Sequence, residues 1–472
     1  MNKRLILLFS FFFITLYISP VYAHSIEDIV AKWKELRPTH QGTALLEEPS
    51  INAPYTSGKL NTSFLEDGLK YLNFCRYLAY LPEVYLDESL NQKGQHGAVL
   101  LAASEYSHHP PKPTDMSDSF YEIAHSSTSS SNIASGCKTL PSAIQSCMDD
   151  NSTNIDRVGH RRWLLNPTLH NIGFGYARKE VNSLYDYYIT TQVFDQSGKN
   201  NFFQYISWPS NGYFPNNFFK TNVPWSITLN SAIYQTPDIE KVNVTITRPS
   251  DGSVWNISKK DKHTTLSNSN LSYFNVETSG YGISNCIIFY PGLENFDREK
   301  YTEPYTVKVT GIQYKHGINP ANMGLSNEPF IEYTVNFFDL FEITEIKIEV
   351  NNKRLDFYDM GFLNDYYGKP FIEDGRILIP LRAICNALSI STSYDDKTET
   401  ITCKETKSRS KPKEVKLKIN SNTALINNQE TTLDVPAKII DDRTYVPLRF
   451  LSQSFNASVE WDEDKQLAKI TK

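Results

Sequence analysis

The chain lacks most of the features that identify small exported scaffolds or common hydrolases. Only six of its 472 residues are cysteine, Cys75, Cys137, Cys147, Cys286, Cys385 and Cys403, and no two form a Cys-x-x-Cys pair. That spacing excludes a disulfide framework, a cysteine-zinc knuckle and a dithiol redox centre. Cys137 with Cys147 and Cys385 with Cys403 are spaced for local bridges, and buried free thiols are the equal alternative. There is no Gly-x-Ser-x-Gly, His-Glu-x-x-His or Gly-x-x-x-x-Gly-Lys, so the nucleophile elbow, the zincin helix and the phosphate loop are all missing. Neither sign of charge dominates, with 47 Lys and Arg against 53 Asp and Glu, and a mildly acidic chain is a poor binder of nucleic acid. After residue 23 no apolar run is long enough to span a bilayer, which requires ~20 residues.

What is present begins with a secretion signal. Lys3 and Arg4 precede an apolar stretch over residues 5–18, and Val21-Tyr22-Ala23 supplies small residues for cleavage. Removing residues 1–23 takes two positive charges from a formal −6, which leaves −8 on 449 residues. The expected location is secreted, extracellular or cell-wall associated, with no transmembrane segment after cleavage. A length of this size predicts about three domains.

Residues 24–61 read as a lead-in with one short helix near Ile26 to Leu36. Ser63-Phe64-Leu65-Glu66 has the form of a capping box, and Leu65, Leu69, Leu72 and Ala79 recur at helical spacing up to Leu81-Pro82. A second helix is expected from Asp87 or Ser89 to Tyr106, with a stripe of Leu90, Gly94, Gly97 and Leu101 whose small members admit a close neighbour. The hydroxyl-rich residues 126–131 read as a loop, and a short helix follows around residues 141–148. Gly159-His160-Arg161-Arg162-Trp163-Leu164-Leu165-Asn166 forms another, stopped by Pro167. In the strand beyond it, Ile172, Phe174 and Tyr176 face one way. Gly173, Gly175 and Ala177 face the other, leaving a bare side for a helix. A last strand over residues 187–194 closes the module.

Six pieces stand in order: Leu72-Asn73-x-x-Arg76, Leu81-Pro82, Leu86-Asp87-x-x-Leu90, Ser107-His108-x-Pro110, Asn132-Ile133-Ala134 and Gly159-His160-Arg161-x-x-Leu164-Leu165-Asn166-Pro167. Together they resemble the bacterial branch of the CAP (SCP) superfamily of cysteine-rich secretory and pathogenesis-related proteins over residues ~62–196. The resemblance implies an α-β-α sandwich with a cleft where two histidines and two acidic residues meet, a site that in many members holds a divalent metal. His108 and His160 match the histidine positions. The first acidic position, directly before the Asn, is here Ser131, and the second falls on Asp149 or Asp150.

The implied ligand cleft is therefore His108, His160, Ser131 and Asn132. A divalent ion such as zinc would draw on His108, His160 and Asp149 or Asp150, short of the four ligands, or three plus water, that zinc takes. His109 is a further candidate ligand, with surface solvation or a loop hydrogen bond as its other reading. His96, His125 and His170 read as structural or exposed. A serine hydrolase would need Ser127, Ser129, Ser130 or Ser131 oriented by an imidazole, and no motif marks one.

Residues 206–340 switch to short β runs, such as Trp225 to Leu229, Cys286 to Tyr290 and residues 305–310, broken by turns such as Pro249-Ser250-Asp251-Gly252. This pattern predicts an immunoglobulin-like β-sandwich. Residues 341–472 contain an internal repeat. Arg376-Ile377-Leu378-Ile379-Pro380-Leu381-Arg382 recurs at an offset of 67 as Arg443-Thr444-Tyr445-Val446-Pro447-Leu448-Arg449, and Tyr394-Asp395 becomes Trp461-Asp462. These tandem α+β units resemble the copper amine oxidase N-terminal-like domain, which implies a non-catalytic appendage. No copper is expected, because the repeats contain no histidine. Arg382 and Arg449 read as members of structural ion pairs.

The fold class expected is α+β multidomain. The function expected is a non-enzymatic protein whose cleft binds a small or lipidic ligand or a wall component. The alternatives are a metal-assisted or serine-type hydrolase, and a structural wall or coat assembly protein.

Overall fold

Helix α1 (Ile26–Leu36) is the first helix of the described chain and sits behind a capping box in which Ser25 and Asp28 satisfy each other's backbone N–H groups. The lead-in is more than a tether, since Ile29, Trp33 and Leu36 are buried, and the Trp33 ring lies 4.9 Å from Phe74 and 5.4 Å from Phe218. The computed structural model describes residues 23–40, 42–151, 154–181, 184–199, 203–261, 271–292, 301–355, 357, 368–406, 412–440 and 443–472. Except for Ala23, the expected signal peptide lies outside the described residues. No described helix is long and apolar enough to cross a membrane.

A two-stranded ribbon, β1 (Leu45–Glu47) with β2 (Lys59–Leu60), leads into α2 (Thr62–Leu78). Its cap is Asn61 and not Ser63. The Asn61 carboxamide oxygen accepts from the Ser63 N–H at 3.1 Å, while the Ser63 hydroxyl donates to Asn61 and bonds His40 Nδ1. Next come β3 (Tyr85–Leu86), α3 (Glu88–Ala103) capped by Asp87, and α4 (Asp118–Thr128). Helix α4 corrects the sequence reading, because it takes in the front of the stretch expected to be a loop. The remaining elements of this region are β4 (Ser131–Ser135), α5 (Leu140–Asp149), α6 (Gly159–Leu164), β5 (Asn171–Val181) and β6 (Leu184–Gln192).

The strands order as β3-β5-β6-β4, with β3 parallel to β5 and the other pairs antiparallel. Ile172, Phe174 and Tyr176 join Phe64, Leu72, Leu140 and Ile144 in the core on one face. Helix α3 seats on the bare face, where a Cβ on Gly175 would stand 2.0 Å from the Gly94 carbonyl oxygen and one on Gly173 2.2 Å from the Leu90 carbonyl carbon. The helix also satisfies the strand backbone. Asn91 accepts from the Phe174 N–H, and Gln95 both accepts from and donates to the Tyr176 backbone.

Two further sheets follow. One comprises β7 (Tyr205–Trp208), β9 (Trp225–Leu229), β12 (Tyr273–Glu277) and β13 (Cys286–Tyr290), in the order β12-β13-β9-β7. The other comprises β8 (Gly212–Pro215), β10 (Asn243–Arg248), β11 (Ser253–Ser258), β14 (Pro304–Thr310) and β15 (Ile331–Phe338), in the order β11-β10-β14-β15-β8. Val244, Ile246, Val307 and Val335 of the second sheet and Ile227, Ile287 and Phe289 of the first share one core. That same core runs on into the helices of the preceding region.

After α7 (Leu340–Thr344) the repeats form a separate core. They are interlocked. Strand Lys347–Val350, which opens the first copy, pairs in parallel with Leu467–Thr471, which ends the second, and Glu414–Lys418, which opens the second, pairs with Thr400–Glu405, which ends the first. The repeated Arg376–Pro380 and Arg443–Pro447 pair with each other. One expectation is corrected here, and one pair of alternatives is decided. Arg382 and Arg449, in the first turns of α8 (Leu381–Ala387) and α9 (Leu448–Ser454), are exposed and form no ion pair among the described residues. All six cysteines are free and buried, packed as small apolar side chains, so neither local bridge forms.

Candidate functional site

The family-like motifs first act as struts. Asn73 brackets Val84, donating to its carbonyl at 3.0 Å and accepting from its N–H at 2.8 Å. Buried Arg76 donates to the carbonyls of Pro82, Leu164 and Asn166. The helix α2 motif thus clamps the Leu164-Leu165-Asn166 segment at the end of α6.

Helix α6 then divides its motif between two tasks. His160 is partly exposed, with 27 % of its side chain accessible. Buried Arg161 donates to the carbonyls of Met148, Asp149 and Pro224 and to the Ser226 hydroxyl, and Arg162 donates to the Ile283 carbonyl. Both arginines therefore reach into the neighbouring β-sheet module.

The two imidazoles are held in the same way, each by Nδ1. His108 Nδ1 lies 2.9 Å from the Thr128 carbonyl, which can only accept, so this nitrogen carries the proton and Nε2 the lone pair of the neutral ring. Burial lowers the His108 pKa against the pull of that hydrogen bond, and charge on His160 and His109 lowers it further. His160 Nδ1 lies 2.8 Å from an Asp150 carboxylate oxygen. Burial alone would lower its pKa too, but the hydrogen bond and charge of Asp150 outweigh it and the value is raised. Neither Nε2 is hydrogen-bonded among the described residues.

Asp150 is buried against the Nδ1 side of the His160 ring. It caps α5 in the left-handed conformation, φ 46°. One oxygen also accepts from Asn154 at 2.8 Å, and the other from the Arg161 N–H at 3.1 Å. Its side chain is 2 % exposed, so its lone pairs are spent on orienting the imidazole.

Asp149 points the opposite way, into the core. Gln145 donates to it at 2.5 Å, and Tyr71 donates to Gln145. Burial pushes its pKa up to about 6 against the lowering effects of Lys220, Gln145 and Arg161. Of the two aspartates named as metal ligands, one is turned away and the other is used from behind. Among the described residues no group of three or more His, Cys, Asp or Glu side chains is placed to hold a metal ion. Two imidazole nitrogens do not meet the needs of zinc.

The remaining candidates are accounted for. The buried Ser131 hydroxyl donates to the Ser127 carbonyl at 2.7 Å and accepts from Gln192, so it is not aligned with an imidazole. Asn132 donates to the His160 carbonyl at 2.9 Å and fixes the backbone that carries the ring. Ser127 accepts from Gln192, and Ser129 donates to the Ser126 carbonyl. His109 lies against His125, with ring centroids 5.4 Å apart, away from any ligand set. His96 bonds the Gln92 carbonyl, and His170 packs on Tyr85. Asn154, which bonds His160, and Gln192, which bonds Ser131, touch the expected site residues and carry no sequence signal.

Residues 69–194 match the profile of the cysteine-rich secretory protein family, CAP, and residues 363–470 match that of the copper amine oxidase N-terminal domain. The chain carries both domains, as its motifs led one to expect, within an α+β multidomain architecture that continues from the CAP region into several β-sheets. No curated protein matches the chain.

Proposed function

We propose that this is an exported, surface- or wall-associated protein whose CAP cleft binds a small or lipidic ligand or a wall component without chemical turnover. The single observation behind this reading is the matched mounting of His108 and His160, each pinned through Nδ1 and each with no hydrogen bond at Nε2 among the described residues. Two such nitrogens recognise a ligand. Catalysis needs a nucleophile or third group within reach, and Ser131, the nearest candidate by sequence, has its hydroxyl committed to Ser127 and Gln192. We read the two-sheet module as an immunoglobulin-like spacer and the repeats as an attachment appendage.

The test is an NMR titration of histidine-labelled protein with soluble wall fragments and, separately, a fatty acid. His108 and His160 ring signals should shift in at least one arm, and the shift should vanish in a His108→Ala, His160→Ala variant. Hydrolysis of an ester or peptide that disappears in His160→Ala would overturn the non-enzymatic reading. Protein recovered from the medium should begin at His24, and retention of residues 1–23 would overturn export by cleavage.

A further inference from the structure

The segment that leads into His160 is seated on the second module. Ile155 and Val158 are buried in one cluster with Tyr273 of β12 and Cys286, Ile288 and Tyr290 of β13, and Asn275 of β12 donates to the Asp156 carbonyl. Val158 adopts φ 40° and ψ 46°, a left-handed conformation that is costly for a β-branched residue and persists only where its surroundings fix it. The neighbouring sheet supplies that fixing, and the turn delivers the chain directly to Gly159 and His160.

The loop between β12 and β13 reaches further. Arg162 donates to the Ser279 and Ile283 carbonyls and so holds the loop at two points. Gly282, at φ +77°, lies against Trp163, where a Cβ would stand 2.9 Å from the ring. Tyr281 is thereby set against Gly159, whose own Cβ would meet the phenol ring at 3.0 Å, one residue from His160. The Tyr281 hydroxyl accepts from Arg157 Nη1 at 3.1 Å. Burial lowers the His160 pKa, Asp150 raises it and the Arg157 charge lowers it, so this guanidinium lies within electrostatic reach of the imidazole. Arg157 gives its Nε proton to Asp156 and one Nη1 proton to Tyr281, which leaves three of a guanidinium's five N–H groups, and 40 % of its side chain is exposed.

We infer that the ligand site at His160 is composite: the second module walls it with Tyr281, and Arg157, braced by that phenol, donates to the oxygens of a neutral glycan. Arg157 and Arg162 are opposed by Asp156, Glu277 and Asp150, and Arg162 is already spent on loop carbonyls. Such a site has no surplus of positive charge for a carboxylate or phosphate. Its guanidinium donates while the neutral His160 Nε2 accepts, which suits sugar hydroxyls that do both. The inference rests on the ligand-binding reading above, narrows the wall component to its glycan, and makes the second module part of the site as well as a spacer.

The probes are N-acetylchitotetraose, a soluble neutral oligomer of N-acetylglucosamine, and dodecanoate as the anionic comparison, each followed on the full chain by calorimetry and by the His160 ring signal. The oligomer should bind and shift that ring. Arg157→Gln should weaken its binding about ten-fold, the worth of one hydrogen bond from a charged group. Tyr281→Phe, which keeps the ring and removes the hydroxyl, should weaken it about three-fold, with unchanged melting temperatures showing that both variants fold. Arg248→Gln, which removes a guanidinium of the second module paired with Asp251, should leave binding as it was. Oligomer binding that Arg157→Gln and Tyr281→Phe both leave intact overturns the composite site while cleft binding stands. Binding of dodecanoate but not of the oligomer overturns the glycan assignment, and a His160 shift with it keeps the ligand-binding reading. No response to either probe also overturns the glycan assignment, and wall fragments must then shift the rings for cleft binding to stand.

Discussion

The CAP region and the C-terminal repeats bury their interiors differently. The CAP core is threaded with polar groups: Asn73, Arg76, Asn91, Gln95, Gln145, Asp149, Asp150 and Arg161 are all buried, and each is hydrogen-bonded to backbone or to another of the set. The repeat core is apolar, built of residues such as Ile348, Ile379, Leu417, Val446 and Ile470, and its specificity lies in strand exchange between copies. Buried polar networks cost desolvation but hold groups in one orientation. They gather where two imidazoles must be aimed and are sparse where the chain only builds a body.

The sharpest way to break this contrast is to remove residues 458–472. Leu467–Thr471 is the partner of Lys347–Val350, so truncation should abolish the C-terminal calorimetric transition while the CAP transition persists. A surviving half-size C-terminal transition would mean the copies fold as independent units. Next comes Arg161→Met, which strands the Met148, Asp149 and Pro224 carbonyls. Losing a buried charged donor of this kind costs about 3–5 kcal/mol, and the loss should fall on the CAP transition and leave the repeats unchanged.

A smaller effect is expected from pH. The His160 pKa is raised in the folded state, so its contribution is fully present below the ordinary value of about 6.5 and is lost as pH rises through the folded value. Asp150→Asn should therefore lower the CAP melting temperature most near pH 5.5–6.5, with the gap narrowing above. His108, with a lowered pKa, has the opposite sign: its contribution is present above about 6.5 and fades as pH falls through its folded value. A ring-resolved NMR titration separates the two. The smallest effect belongs to Arg382→Ala with Arg449→Ala, exposed and without an ion pair among the described residues, each within about 0.5 kcal/mol in a denaturant melt.

Much of the fold was readable because it rests on short-range pattern. The bare glycine face of β5 announced the close approach of α3, and that approach is real at Gly94 and Gly175. The repeat at an offset of 67 announced two like units. The cap of α2 was misplaced by two residues, because Asn61 and Ser63 are both good caps and only the backbone decides which one precedes the first turn. Helix α4 was missed because its hydroxyl-rich end looks like a loop until Gly97 of α3 packs on Ser127.

At the site, the resemblance named His108 and His160 as the cleft pair, and the structure holds each ring through Nδ1. The resemblance could not choose between Asp149 and Asp150. One residue of chain and a left-handed turn send one carboxylate to the core and the other behind an imidazole. Nor could it show that Arg161 and Arg162 of the same motif serve the neighbouring module, that Lys93 meets Ser130 across 37 residues, or that each repeat closes the other's sheet. Spacing encodes which residues share an element and a face, because helix and strand periods are local. Which side chains meet is decided by packing between elements far apart in the chain, where a single rotation at one residue redirects a charge.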